Sequence, residues 1–229
     1  MGLDPGNVNL VARILRGRYC DFSHYNKRNP FDELLFIICS TRTHEGNYRE
    51  AFRRFRRAFP RNIDILSARV SALEAVLRDG GLSNKKARWI RSIATRLNEA
   101  FGHVTLSPLH EWSDERCEEF LTSLPGVGKK VARCVMMYSF RRHVFPVDEH
   151  CWRISTRLGW IRRTRKNRSG SPRDEDRLQA RIPAGLRLSL HVNMISLGRE
   201  YCVSQSPRCN ACPIKSCCRR IGVNHARAG

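Results

Sequence analysis

Two lysines stand side by side in Leu124-Pro125-Gly126-Val127-Gly128-Lys129-Lys130, and Asp148 follows Lys130 by eighteen residues. An amine and a carboxylate are complementary groups. A neutral amine can attack the anomeric carbon of a deoxyribose, while a carboxylate stabilises the cationic sugar or moves the proton. The setting of the lysines adds to this. Gly126 and Gly128 lack a Cβ and tolerate φ > 0, so a phosphate can approach the main chain closely, and a helix starting at Lys129 adds the positive end of its dipole. A Gly-x-Gly turn also serves as a plain helix–helix connection. Set between helices and followed by basic residues, it suits phosphate binding without base readout. Asp148 follows Pro146-Val147 at the start of a helix, where an aspartate commonly acts as the N-cap.

The second group able to do chemistry is Cys202-x6-Cys209-x2-Cys212-x5-Cys218, four thiols within seventeen residues. Thiolates are soft ligands for zinc or iron–sulfur clusters. Zinc sites usually show two close cysteine pairs, whereas this run has one pair flanked by wider gaps, which favours a cluster held by a single loop. Cys217 and Cys218 both stand where a fourth ligand is needed. Cys20, Cys39, Cys117, Cys134 and Cys151 are scattered and read as ordinary buried thiols.

The positioning elements read as helices. Apolar residues recur at helical spacing in 5–18 and in 47–59, where Phe52, Phe55 and Phe59 share a face and the arginines point outward. The run 31–40 reads as a buried helix, with a buried strand as the alternative for so short a stretch. A short helix over 71–78 is expected to stop at Gly80-Gly81, Ser83 to cap a longer helix to Phe101, and Ser113 to start one to Ser123. The helix from Lys129 turns Ala132, Val135 and Met136 inward. Helices over 149–158 and 184–201 complete the chain, and the stretch 162–177 between them reads as a mobile basic loop. No strand and no solenoid repeat is evident, so the class is all-α.

Forty-two basic against 21 acidic residues give a net charge of +21 and a pI near 10.5. Folding does not require that excess. It predicts attraction to a polyanion, nucleic acid in preference to a membrane surface, with salt-sensitive binding. Lysine occurs only at 27, 85, 86, 129, 130, 166 and 215, every other basic position being arginine. Arginine does not lose its proton in proteins and lysine can, so the hairpin lysines supply an amine as well as a charge. A hydrophobic content of 41% supports a core. No long apolar run suggests a membrane span, and Arg13, Arg16 and Arg18 break any signal-peptide core, so an intracellular protein is expected.

The order of hairpin Lys130, Asp148 and the cysteine run resembles endonuclease III, of the helix-hairpin-helix DNA glycosylase superfamily. The stretches Asn29-Pro30-Phe31-Asp32-Glu33-Leu34-Leu35, Gly81-Leu82-Ser83-Asn84-Lys85-Lys86-Ala87 and Gly198-Arg199-Glu200-Tyr201-Cys202 are similar to other family segments, so the resemblance covers roughly residues 28–218. It implies a six-helix domain over 30–141 and a second domain joining 1–29 to 142–229. Cys202, Cys209, Cys212 and Cys218 would hold one 4Fe-4S cluster. The implied partner of a monomeric protein is double-stranded DNA containing damaged bases or abasic sites, bent in a basic cleft with one nucleotide flipped out.

Lys130 matches the Schiff-base lysine and Asp148 the catalytic aspartate of a glycosylase with abasic-site lyase activity, which removes a damaged base, an oxidised pyrimidine above all, and cleaves by β-elimination. Leu82 matches the wedge that enters the space left by the flipped nucleotide. Gly126, Gly128 and Lys129 would meet phosphate, as would Arg199, Arg208, Lys215, Arg219 and Arg220. Two positions depart from the family pattern. Arg42, in Ser40-Thr41-Arg42-Thr43, replaces a glutamine that fills the gap opposite the lesion, and Glu149 replaces a threonine. A monofunctional mismatch glycosylase (uracil, thymine or adenine) and a non-catalytic iron–sulfur DNA-binding protein are the competing readings. A zinc-binding structural protein is disfavoured by the cysteine spacing.

Overall fold

A computed structural model describes residues 6–22, 25–78, 81–162 and 170–223. Every regular element among them is helical, and none of these helices is long and apolar enough to cross a membrane. The helices fall into two compact units, residues 26–142 and residues 1–25 with 143–229.

In the unit 26–142, α2 (Pro30–Ser40) is the central element. Asn29 caps it by accepting from the N–H groups of Phe31 and Asp32, and Pro30 opens the first turn, so the apolar run is committed to a helix rather than a strand. Phe31, Leu34, Leu35 and Ile38 are fully buried on it, each contributing about 1.5–3 kcal/mol by leaving water. On α3 (Glu45–Ala58), Phe52 and Phe55 face inward, and Arg56 pairs with Asp32 of α2. Two short helices, α4 (Asp64–Ser67) and α5 (Val70–Leu77), lead to α6 (Ser83–Phe101). Ser83 does not cap α6. The cap position is Leu82, which adopts a left-handed conformation with φ 54°, and the Ser83 hydroxyl instead donates to Glu74. Ser113 does cap α7 (Asp114–Ser123), accepting from Arg116 N–H, and α8 (Lys129–Tyr138) packs against both α7 and α2.

The other unit is built on α11 (Arg187–Glu200), which packs against α1 (Gly6–Tyr19) and α9 (Glu149–Leu158). Val11, Leu15, Trp152, Leu158, Met194 and Leu197 belong to its buried core. Two expectations change here. The basic loop read over 162–177 is shorter, because Pro172–Arg181 forms α10, held by a reciprocal capping box between Ser171 and Asp174; residues 163–169 lie outside the described part. Cys20 is exposed, whereas Cys39, Cys117, Cys134 and Cys151 are buried.

Candidate functional site

The hairpin between α7 and α8 uses its two glycines differently. Gly126 has φ +77°, and a Cβ there would stand 2.3 to 2.7 Å from ring atoms of Trp89. The space freed by the missing side chain is therefore filled by an indole of α6. Gly128 has φ −91° and ψ 174°, an ordinary extended conformation, with nothing within 4 Å of a Cβ built on it. It is the N-cap of α8, and no side chain caps that helix. Close approach of an anion is thus possible at Gly128, where the backbone faces open space and the helix dipole is positive.

The neighbouring lysines are also separated by their surroundings. Lys129 Nζ lies 3.3 Å from Glu118 Oε1 on α7, and Arg133 Nε donates to Glu118 Oε2 at 2.6 Å. Lys130 is half-buried, and its charge acts on Glu33 of α2. Glu33, in the first turn of α2, is 0% exposed. Its carboxylate accepts from Asn26 Nδ2 and Lys27 N–H. Burial pushes the Glu33 carboxyl up to about 7 against those donors and the charges of Lys27 and Lys130. Periodicity gave no signal for this burial, because Asp32 beside it is the acid that pairs outward with Arg56.

Asp148 belongs to the other unit. Its Oδ1 accepts the Cys151 N–H at 2.8 Å, making it the N-cap of α9, and its side chain also lines a cavity of about 510 Å³ with Trp152, Arg153 and Thr156. The Glu149 side chain is 84% exposed, with Oε1 3.9 Å from Arg153 Nη1. His150 Nδ1 takes a hydrogen bond from Arg153 Nη2 at 2.9 Å. Burial lowers the His150 pKa, with Asp148 and Glu149 opposing and Arg153 and Arg199 reinforcing. The ring is therefore neutral near pH 7, with Nδ1 as acceptor. A Cβ at position 198 would stand 2.4 Å from His150 Nδ1, which explains the glycine of Gly198-Arg199.

Cys202, Cys209, Cys212 and Cys218 line one cavity together with Arg157, Ile154 and Ile214. Cys218 rather than Cys217 is among the lining residues. Among the described residues no three His, Cys, Asp or Glu side chains gather closely enough to hold a single metal ion; the four sulfurs are arranged around a space. N–H groups point at them. Arg157 Nη1 donates to Cys202 Sγ at 3.1 Å, and Arg220 N–H to Cys218 Sγ at 3.4 Å. Burial pushes the Cys212 thiol up to about 11; the Ile214 N–H opposes, and Cys202, Cys218 and Cys209 reinforce. Four ionised sulfurs in one loop therefore require a positive partner, and this donor set could hold an iron–sulfur cluster.

A family model for HhH-GPD superfamily base excision DNA repair proteins matches residues 35–171. The chain belongs to this superfamily. An Arabidopsis thaliana protein provisionally named as a DNA glycosylase is 33% identical over 76% of the chain, which spans 58% of that relative's length. Endonuclease III of Thermotoga maritima is 28% identical over 89% of the chain and 91% of its own. Solved endonuclease III–DNA complexes, one non-covalent and one a trapped covalent intermediate, share the fold at a TM-score of 0.80 and 27% identity, over 96% of this chain and 97% of theirs. The chain is thus a base excision DNA repair protein of the HhH-GPD superfamily, helical in every regular element among the described residues.

Within this HhH-GPD chain, the unit 26–142 carries Gly126, Gly128, Lys129, Lys130, Arg42 and Leu82, and the other carries Asp148, Arg199, Arg208, Lys215 and the four cysteines. Arg42 and Leu82 are exposed residues in left-handed conformation, with φ 51° and 54°. Arg208 and Arg199 are exposed, and Lys215 Nζ, also on the surface, donates to Asn210 O at 3.2 Å. Sequence reading missed Arg157, whose guanidinium is buried against Cys202, Val203 and Ser204. An arginine four residues beyond Arg153 on a basic helix looks like a solvated surface charge until the chain folds back 45 residues later.

Proposed function

We propose that this HhH-GPD protein is a bifunctional DNA glycosylase and abasic-site lyase, acting on duplex DNA with damaged bases, oxidised pyrimidines above all. The observation that carries the reading is the division of labour in the hairpin. Lys129 pairs with Glu118, whereas Lys130, one residue on, acts by its charge on the buried Glu33, at the start of an α8 whose cap, Gly128, has no side chain. The similarity to a trapped covalent endonuclease III–DNA intermediate supports a covalent route.

On this reading the neutral Lys130 Nζ attacks C1′ of the damaged nucleotide. The N–C1′ bond forms, the glycosidic bond breaks, and the base leaves with a proton. Asp148 stabilises the cationic sugar, accepts the proton lost by the amine and passes it to the departing base. The C1′–O4′ bond then breaks as O4′ takes a proton from water, giving the ring-opened iminium, which loses a C2′ proton as the bond from C3′ to its phosphate oxygen breaks. Gly128 and Lys129 orient the backbone by phosphate contact without selecting a base, Gly126 shapes the turn that presents them, and Arg199, Arg208 and Lys215 add phosphate contacts. Leu82 occupies the space of the flipped nucleotide, and Arg42 faces the opposite base. Cys202, Cys209, Cys212 and Cys218 would hold one 4Fe-4S cluster, which when bound cross-links the loop and provides a redox-active centre. We place the protein inside the cell, as a monomer.

Borohydride trapping tests the reading on duplexes carrying an abasic site, an oxidised pyrimidine, uracil or thymine opposite guanine, and undamaged DNA. A covalent adduct with the abasic duplex and with the oxidised pyrimidine is expected. Base release without an adduct would move the protein to the monofunctional mismatch class; tight binding with neither would make it non-catalytic.

A further inference from the structure

Arg42 and Leu82 lie on different loops, yet one buried residue is bonded to the residues flanking the Arg42 turn and to Leu82 itself. Ser40-Thr41-Arg42-Thr43 forms a tight turn closed by Thr43 N–H donating to Ser40 O at 3.2 Å. Thr41 has φ −57° and ψ 118°, and Arg42 has φ 51°. This is the pattern of a type II turn, whose third position normally takes glycine. A non-glycine residue held there is strained and needs its surroundings to keep it in place. The exposed Leu82 is also left-handed, immediately before α6.

Lys86 connects the two. It is 0% exposed, and its Nζ donates to Cys39 O at 2.8 Å and to Thr43 Oγ1 at 2.9 Å, clamping both flanks of the Arg42 turn. Its own N–H donates to Leu82 O at 2.9 Å, closing the first turn of the helix that Leu82 begins. Thr43 Oγ1 passes the bond on to Thr41 O at 3.1 Å. The loops also touch directly, since a Cβ on Gly81 (φ +59°) would lie 3.4 Å from Arg42 O. A buried ammonium is tolerated only where acceptors are fixed around it, so its presence orders the carbonyl and hydroxyl it bonds. Burial lowers the Lys86 pKa, yet a donor is what Cys39 O requires.

We propose that Lys86 is a positioning residue that holds Arg42 and Leu82 as a single two-pronged probe of the duplex, so that readout of the opposite base and insertion of the wedge are set together. This rests on the reading of Arg42 and Leu82 as the residues that enter the duplex.

The test uses a duplex with a tetrahydrofuran abasic analogue opposite 2-aminopurine, whose fluorescence rises when its stacking is lost. No turnover is needed. Wild-type protein should raise the fluorescence at saturation. Thr43→Val removes one acceptor of Lys86 while keeping the shape, and Lys86→Met removes the donor. Each should leave affinity for undamaged duplex unchanged, lower the fluorescence rise, and reduce the preference for the abasic duplex by about tenfold, the scale of one hydrogen bond to a charged group. If Lys86→Met does not fold, Thr43→Val decides alone. A full fluorescence response in Thr43→Val would overturn the brace, as would an equal loss of affinity for both duplexes, which is the mark of general destabilisation. No rise with wild-type protein would overturn the insertion reading and the brace with it. Insertion without base release in a separate assay would leave the brace standing and remove the catalytic assignment.

Discussion

The starts of α8 and α9 make an instructive pair. α8 follows the tight hairpin 124–128 and α9 the longer connection 139–148, and each helix start carries one of the two residues assigned to chemistry. At α9 the helix end is satisfied from within, because Asp148 accepts the Cys151 N–H at 2.8 Å. At α8 the cap is Gly128, which has no side chain to offer and nothing within 4 Å of where a Cβ would be. One helix end fixes a carboxylate in place, and the other leaves its positive end available to an anion from outside. The comparison teaches that a helix N-terminus becomes a binding element through what is left off its cap. It also shows that capping does not bury a carboxylate: one oxygen of Asp148 is held by its own helix, and the residue still lines a cavity.

The contrast can be broken by substitution. The largest effect is expected at Asp148. Asparagine caps a helix about as well as aspartate, so Asp148→Asn should keep the thermal midpoint while slowing base release by about 10²- to 10⁴-fold; single-turnover kinetics beside a melting curve would measure both. Unchanged turnover would reduce Asp148 to a cap.

The two glycines come next. Gly126→Ala forces a Cβ into the Trp89 ring at φ +77°, which should cost about 2–5 kcal/mol from left-handed strain and overpacking together. Gly128→Ala should cost about 1 kcal/mol or less, yet weaken duplex affinity, because its methyl group would stand where the phosphate must approach. Denaturant titration and fluorescence anisotropy separate the two outcomes. Equal stability losses would erase the distinction between the glycines.

A smaller effect concerns Glu33, whose folded-state pKa of about 7 lies above its ordinary value of 4.5. The native state therefore holds the proton more tightly than the unfolded chain. This contribution is fully present below about pH 4.5 and is lost as the pH rises through about 7. Glu33→Gln should remove that loss, gaining on wild type by about 1–3 kcal/mol between the acid and alkaline ends of the window. Melting curves across the range would show the gap widening with pH; a constant gap would mean that Glu33 titrates normally.

Much of this was legible in the sequence where the signal is local. The Cys202 to Cys218 spacing, Asp148 before a helix, and Ser113 before α7 are all patterns within a few residues, and α9 spans the 149–158 that periodicity indicates. What escaped depends on contacts distant in sequence. Trp89 against Gly126, Lys86 bonding Cys39 and Thr43, Arg157 reaching Cys202 Sγ, and the burial of Glu33 have no local signature. Ser83 misled for a different reason. A serine before an apolar period is a good cap signal, but Leu82 takes the cap position in a left-handed conformation that no propensity favours.

The central claim is that Lys130, rather than its neighbour, is the nucleophile. Borohydride trapping on an abasic duplex with Lys129→Gln and Lys130→Gln side by side tests it most directly. The account predicts a strong adduct with Lys129→Gln and none with Lys130→Gln, both variants still binding the duplex. An adduct that survives in Lys130→Gln and disappears in Lys129→Gln would contradict it.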